Sequence, residues 1–283
     1  ALPIYESRDL KTWSFMSVVP EFYECPDLFR LPLGGDAGKM KWVVYGAHRR
    51  EADGQQHVAR SSYQVGSLDG HTFTPETPIL NGHLGPNYYA AQSFSNAPNG
   101  RGIMIGWLAG ATYSGMPFSQ GFTVPLELSL RSTPDGPRLF FYPVKELEAL
   151  RVRGKMGEDL SVVQAKALLG EVDAELLDIV LEIWPEGGDV ILDVRGVPVT
   201  YYAGEGRIEF QGCSGPVALQ NGRLRLRVLV DRGVVEVFGN DGQVAFSAGG
   251  DLFDAETHGV SLSGGGNAHV ARIEAHELGG IWP

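Results

Sequence analysis

From Arg223 to Val228 basic and apolar residues alternate without a break: Arg223-Leu224-Arg225-Leu226-Arg227-Val228. Period two is the mark of an extended strand with one buried face, and a helix cannot gather such a pattern onto one stripe. Upstream, Ile179, Leu181 and Ile183 alternate with Val180 and Glu182 in the same way. Downstream, Val234-Val235-Glu236-Val237-Phe238 follows a two-residue Arg232-Gly233 turn, which predicts a hairpin, and Asn240-Asp241-Gly242 is the next turn. Regularly spaced antiparallel strands of this kind predict a β-sandwich over residues 158–283. The three arginines read as a solvated outer face, with their stems lying over the sheet.

The first half is also built of short strands, but it repeats. Ser7-Arg8-Asp9-Leu10-Lys11-Thr12-Trp13 and Ser67-Leu68-Asp69-Gly70-His71-Thr72-Phe73 share Ser, Asp, Thr and a closing aromatic. Each copy reads as a strand, an Asp-led turn and an aromatic that opens the next strand. A repeat of that length filled with short strands predicts propeller blades. Lys41-Trp42-Val43-Val44-Tyr45-Gly46 reads as a buried strand bounded by glycines, and Val124-Pro125-Leu126-Glu127-Leu128-Ser129-Leu130 as a half-buried one. Pattern breaks at Pro143, where Val144, Leu147 and Leu150 fall on one helical face, predicting a short helix. The chain therefore divides into an all-β propeller portion over 1–148, a linker over 149–157 and the sandwich. The 38 glycines and 17 prolines suit so many turns.

A net charge of −11 without a Lys/Arg cluster argues against a nucleic-acid partner. No apolar run approaches the roughly 18 residues that span a bilayer. No basic segment followed by an apolar one opens the chain, so no signal peptide is visible, and secreted and cytoplasmic locations both stay open. Cys25 and Cys213 read as free thiols. The seven histidines show no metal-ligand spacing, so neither metal nor cofactor is expected.

The chemistry concentrates at Tyr23-Glu24-Cys25-Pro26-Asp27-Leu28-Phe29. Pro26 locks its own φ and biases the residue before it toward extended backbone, so Glu24 and Cys25 sit on a stiff strand end. Aromatic neighbours lower the local polarity, a setting that suits a general acid. The same residues also fit a surface glutamate beside a buried cysteine.

This heptapeptide resembles the Glu-Cys-Pro-Asp-Leu-Phe signature of glycoside hydrolase family 32, which holds invertases, inulinases and levanases. Tyr88 to Phe94 is similar to the family's Phe/Tyr-Tyr-Ala-Ala-Gln stretch, and Ile105 to Leu108 to its Trp-Gly-Trp stretch. Leu139 to Arg151 resembles its Pro-Val-x-Glu-Leu connector. Val230-Asp231-Arg232 with Val235 to Phe238 resembles a strand pair of its C-terminal sandwich. The resemblance implies a five-bladed propeller followed by a β-sandwich, and a retaining, metal-free β-fructosidase with Glu24 as general acid/base.

Two further family motifs are absent from this sequence: Trp-Met-Asn-Asp-Pro-Asn, whose Asp is the nucleophile, and Arg-Asp-Pro, whose Asp stabilises the transition state. The chain is therefore expected to begin just before the acid/base motif, without the first two blades or so. A retaining glycosidase sets two carboxyl groups about 5 Å apart. Asp27 is too close along the same stiff segment to be the second, and is expected to hydrogen-bond backbone or position Glu24 within the substrate pocket. Glu127 and Asp231 read as structural.

In His83-Leu84-Gly85-Pro86-Asn87-Tyr88-Tyr89, family members often carry Asp where His83 stands, on the leaving-group side of the pocket. His83, Asn87, Tyr88 and Trp107 are thus expected substrate-binding positions, and loss of that carboxylate tilts the substrate from sucrose toward a fructan, levan or inulin. Tyr88 and Trp107 suit stacking on a sugar ring, and plain core packing equally well. With the nucleophile motif missing, a non-catalytic fructan-binding protein or a remnant is the alternative. An open half-propeller also exposes sheet faces and edges, which calls for an upstream polypeptide or self-association.

Overall fold

Strand is the main secondary structure of the described residues, beside one α-helix and two 3₁₀ segments. A computed structural model describes residues 1–52, 55–253 and 259–281, with the backbone alone at 49–52 and 55–60. It divides into two units that exchange segments along the sequence. The first comprises Ala1–His83, Tyr89–Trp107 and Val124–Phe140, the second Leu84–Tyr88, Leu108–Thr123 and Phe141–Pro283.

The strands up to Pro143 are β1 (Leu2–Glu6), β2 (Ser14–Val19), β3 (Phe22–Leu33), β4 (Asp36–Ala52), β5 (Gln55–Leu68), β6 (Phe73–Pro75), β7 (Leu80–Asn81), β8 (Tyr88–Ser93), β9 (Gly102–Leu108), β10 (Gly121–Phe122), β11 (Leu126–Thr133) and β12 (Gly136–Pro143). In the first unit β1 and β2 form a hairpin of their own. The main sheet runs β9-β11-β3-β4-β5-β6, with β8 on β9, β12 on β11 and β7 on β5. Its centre is the antiparallel run β3-β4-β5, while β11 meets β3 in parallel at Leu130 and Leu33. The β3–β4 turn carries Gly34 and Gly35 at φ +64 and +80, the two left-handed positions that a tight hairpin needs. Leu2, Val19, Phe22, Val44 and Phe73 form one buried cluster, which fastens the β1–β2 hairpin to the sheet.

The repeated heptapeptide is one local structure used twice. Asp9 Oδ1 accepts from the backbone N–H of Lys11 and Thr12, both at 2.8 Å. Asp69 Oδ1 accepts from those of His71 and Thr72, again at 2.8 Å. These backbone donors hold both carboxyls below their ordinary pKa. Each turn then delivers its aromatic to the next strand, Trp13 just before β2 and Phe73 at the start of β6.

The second unit holds β13 (Arg151–Ser161), α1 (Val162–Leu169), β14 (Leu176–Trp184), β15 (Val190–Val194), β16 (Val197–Tyr202), β17 (Arg207–Phe210), β18 (Cys213–Pro216), β19 (Leu224–Asp231), β20 (Val234–Gly239), β21 (Val244–Gly249), β22 (Val260–Gly264) and β23 (His269–Leu278). They form a six-stranded sheet, β13-β23-β14-β19-β20-β21, and a five-stranded one, β18-β17-β16-β15-β22. Both contribute to a single apolar core: Ile179, Leu181, Val228 and Val237 from the first sheet, Leu192, Val199, Phe210 and Leu262 from the second. The alternation at Arg223–Val228 is strand β19, paired with β14 and β20, and the Arg232-Gly233 turn joins a true hairpin.

Three local features differ from expectation. The helix after Pro143 is a 3₁₀ segment, Lys145–Leu150, and Pro143 itself ends β12. Residues 151–157, expected to be linker, are the first part of β13, paired with β23. Val162–Leu169, within the stretch expected to be all strand, is an α-helix, and Ser161 and Gln164 cap it reciprocally, a Ser-x-x-Gln signature that sequence alone displays.

Arg227 also departs from the solvated face expected of it. It is 3% exposed and donates to both oxygens of Asp178 at 2.9 Å. Arg151 reaches the same carboxylate at 2.6 Å. The Tyr142 ring lies 5.4 Å from the Arg227 guanidinium, so the segment leading into the 3₁₀ turn covers this part of the face.

Candidate active site

Glu24 sits on β3 between two register shifts. Phe22 pairs with His48, Glu24 with Ala47 and Asp27 with Tyr45, so β3 gains a residue on β4 on each side of the glutamate. Such bulges re-aim side chains and are frequent beside active sites. Cys25, directly after Glu24, takes φ +52, a left-handed value uncommon for a residue with a Cβ. Pro26 favours extended backbone at the residue before it, and Cys25 departs from that expectation. Its φ is instead the one that the bulge requires.

Gly46 makes room for the bulge. A Cβ built there would lie 3.2 Å from the Glu24 carbonyl oxygen and 3.4 Å from the Phe22 ring. The strand does not end at Gly46, as the flanking glycines implied, but continues to Ala52. An isolated glycine inside a strand marks a close backbone approach, and here the approaching backbone carries Glu24.

The Glu24 side chain is exposed, and its Oε1 accepts a hydrogen bond from the Tyr89 hydroxyl. Tyr89 also lies 3.3 Å, oxygen to oxygen, from the Tyr23 hydroxyl, and its ring centroid is 6.3 Å from that of Trp107. Burial, followed by the hydrogen bond to Glu24, pushes the Tyr89 phenol well above its ordinary pKa, so it stays protonated and donates at neutral pH. Ala90, directly after Tyr89, takes φ +46. Both partners are thus followed by a left-handed residue. Cys25 has its thiol pushed up, first by burial and then by the charge of Glu24, so it is no thiolate nucleophile.

A second set of contacts binds the two strands together. Asp27 Oδ2 accepts from the Ser93 backbone N–H at 2.6 Å. Gln92 Nε2 lies 3.4 Å from the carbonyl oxygens of both Cys25 and Pro26. Trp107, 37% exposed, presents part of its ring beside this group. Glu127 is held by Arg101 at 3.0 and 2.7 Å, a two-point ion pair that leaves it structural.

The structure therefore brings Glu24, Asp27 and Trp107 together in the first unit. It treats the other three expected positions differently. His83 is 3% exposed, and burial drives its pKa down to about 3, so it is neutral and closed off from a sugar. Tyr88 is 5% exposed, and burial likewise removes its ring as a stacking face. Asn87, in the second unit, donates to the Ala109 carbonyl at 2.9 Å and accepts from the Gly249 N–H at 3.1 Å, so its amide holds loops together. Tyr89, Tyr23 and Gln92 were not singled out from sequence. Strand alternation was the available signal, since Tyr88 and Tyr89 are neighbours and only one of them can turn inward. Among the described residues no cluster of His, Cys, Asp and Glu could hold a metal ion. Among the described residues no helix is long and apolar enough to cross a membrane.

Fold and site together define a class: a protein of two β-sheet units that presents an exposed carboxylate among aromatic side chains. Residues 1–143 match the N-terminal domain of glycosyl hydrolases family 32, and residues 146–277 match that family's C-terminal domain. The chain belongs to glycosyl hydrolase family 32. It is 29% identical to a levanase of Bacillus subtilis (strain 168), over 99% of this chain and 47% of that protein. It is 31% identical to a levanase of Bacillus sp. (strain L7), over 92% of this chain and 32% of that protein. The crystal structure of an exo-inulinase from Aspergillus awamori superposes with a TM-score of 0.81 at 22% identity, over 99% of this chain and 62% of that one. The chain thus spans less than half of either levanase.

Proposed function

We propose that this chain is the acid/base-bearing portion of a retaining β-fructosidase that releases fructose from levan, inulin or sucrose. The observation that carries the reading is the exposed Glu24 carboxylate, set between two bulges and met by the Tyr89 hydroxyl. Glu24 protonates the leaving oxygen, then takes a proton from water in the second step. Asp27 ties β3 to the Ser93 backbone and keeps Glu24 in place, and Trp107 offers a ring face to the sugar. The likeness to levanases supports a fructan substrate.

In this reading the main sheet of the first unit forms the later blades of a five-bladed propeller, within residues 1–148. The two sheets of the second unit form the sandwich, which β13 extends from residue 158 back to Arg151. The attacking carboxylate belongs to residues outside 1–283, because neither of the family's other acidic motifs occurs here. That same absence favours one alternative, a fructan-binding protein without catalysis. Fructose release from levan, inulin and sucrose by a longer protein that joins residues 1–283 to the segment carrying the attacking carboxylate, measured beside its Glu24→Gln form, decides between them. Release that the substitution abolishes supports the enzyme. Binding of levan without release by either form supports the alternative.

A further inference from the structure

The second unit carries a groove of about 110 Å³ on the face of its six-stranded sheet opposite the apolar core. Tyr142, Val180, Glu182, Arg225, Phe238 and Asp241 supply its walls and floor. Cross-strand register builds it. Glu182 of β14 stands opposite Arg225 of β19, and Val180 opposite Arg227, which stands in turn opposite Phe238 of β20. The Tyr142 ring meets Phe238 edge-on, with centroids 6.1 Å apart.

Two arginines here behave differently. Arg227, at the bottom, is fully engaged by Asp178 at 2.9 Å through two nitrogens. Arg225, at the rim, has 42% of its side chain exposed and reaches Asp241 at 3.3 Å and Glu182 only at 3.7 Å. Charge-assisted N–H···O bonds close to about 2.7–2.9 Å, so this guanidinium fork keeps donor capacity toward the groove. The backbone beneath is fixed, because Asn240 Oδ1 accepts from the Arg225 N–H at 3.0 Å and the Asn240 N–H donates back to the Arg225 carbonyl at 2.9 Å.

The ligand class follows from this lining. Two guanidinium groups stand against two carboxylates, so there is no excess positive charge to attract a free anion. Donors and acceptors lie side by side at the rim over an aromatic and aliphatic floor. Vicinal hydroxyls donate to a carboxylate and accept from a guanidinium, while a ring's C–H face lies on apolar side chains. We propose that this groove is an accessory binding site for a neutral, polyhydroxylated ligand, a sugar unit of a polysaccharide, that anchors the chain to its polymer. The inference rests on the β-fructosidase reading only for the choice of levan as the probe.

Native affinity electrophoresis through gels containing levan tests it, using the whole chain with Glu24→Gln to prevent turnover. The groove variants are Arg225→Ala, Arg225→Lys, which keeps the charge without the fork, and Val180→Trp, which fills the groove and leaves every ion pair intact. Lys39→Ala, an exposed position beside the β3–β4 turn of the other unit, serves as the control. Thermal midpoints identify any variant that has lost its fold. Retardation by levan should weaken about tenfold in the folded groove variants, the scale of losing one anchoring arginine, and persist in Lys39→Ala. Undiminished retardation in Arg225→Lys and Val180→Trp would overturn the proposal. Release of the chain by inorganic phosphate would also overturn it, since that marks an anion site. Loss of retardation in groove variants of a chain that never releases fructose leaves the groove standing and rejects only the enzymatic reading.

Discussion

The Tyr89 hydroxyl donates to Glu24 Oε1 across strands β8 and β3, and each of the two residues is followed by one in left-handed backbone. Left-handed geometry at Cys25 and Ala90 is costly for residues with a Cβ, by about 1–3 kcal/mol each. Surrounding hydrogen bonds from Asp27 and Gln92 over-determine the arrangement and keep it in place. Tyr89→Phe removes the hydroxyl and keeps the ring. A hydrogen bond to a charged group contributes about 1.5–3 kcal/mol, so kcat/KM for fructose release should fall about ten- to a hundredfold, with the thermal midpoint little changed.

Gly46→Val tests the fit of the bulge. The first added carbon already lies 3.2 Å from the Glu24 carbonyl oxygen and 3.4 Å from the Phe22 ring, before any branch is added. Overpacking of this kind costs about 1–3 kcal/mol. Denaturant midpoints should drop accordingly, and activity should drop further than the loss of folded protein explains, because the displaced backbone carries Glu24.

Much of the second unit was legible from sequence because one face of each strand alternates cleanly. The first unit was legible through its repeated Asp-led turn, whose two copies make the same backbone bonds. What escaped is what alternation cannot report. A bulge leaves no pattern of its own, so Gly46 read as a strand end when it marks the crossing of β3. The choice between Tyr88 and Tyr89 turned on which neighbour faces Glu24, and a strand presents both faces. Arg227 read as solvated because a sequence does not display the Tyr142 segment that covers it.

Asp178→Ala examines that covered face. It leaves Arg151 and Arg227 without the carboxylate that both reach, in a site where Asp178 itself is fully buried. Breaking a buried pair from one side costs about 3–5 kcal/mol. Chemical denaturation should show that loss, and high salt should not mimic it, since buried pairs are weakly screened.

His83 provides a pH test. Burial lowers its pKa from 6.5 to about 3 in the folded chain. Between those values the unfolded state binds the extra proton, so stability is full above about pH 6.5 and falls as the pH drops toward 3. From pH 6.5 to 5 the loss is about 2 kcal/mol at 1.36 kcal/mol per unit. Urea midpoints at pH 7.5 and 5.0 should separate less in His83→Gln than in the parent chain. An equal separation would mean that His83 is not the titrating group.

Azide rescue, run on a longer protein that joins residues 1–283 to the segment carrying the attacking carboxylate, addresses the role of Glu24 most directly. With its general acid removed, a retaining β-fructosidase still forms a fructosyl-enzyme from an activated aryl β-fructoside, and a small anion can intercept it without base assistance. Glu24→Ala should lose about 10²–10⁴-fold in fructose release from levan. With the aryl substrate, added azide should restore turnover and yield fructosyl azide. Unchanged release from levan by Glu24→Ala, or the absence of azide product and of any rate recovery in a parent chain known to be active, would contradict the assignment of Glu24 as acid/base.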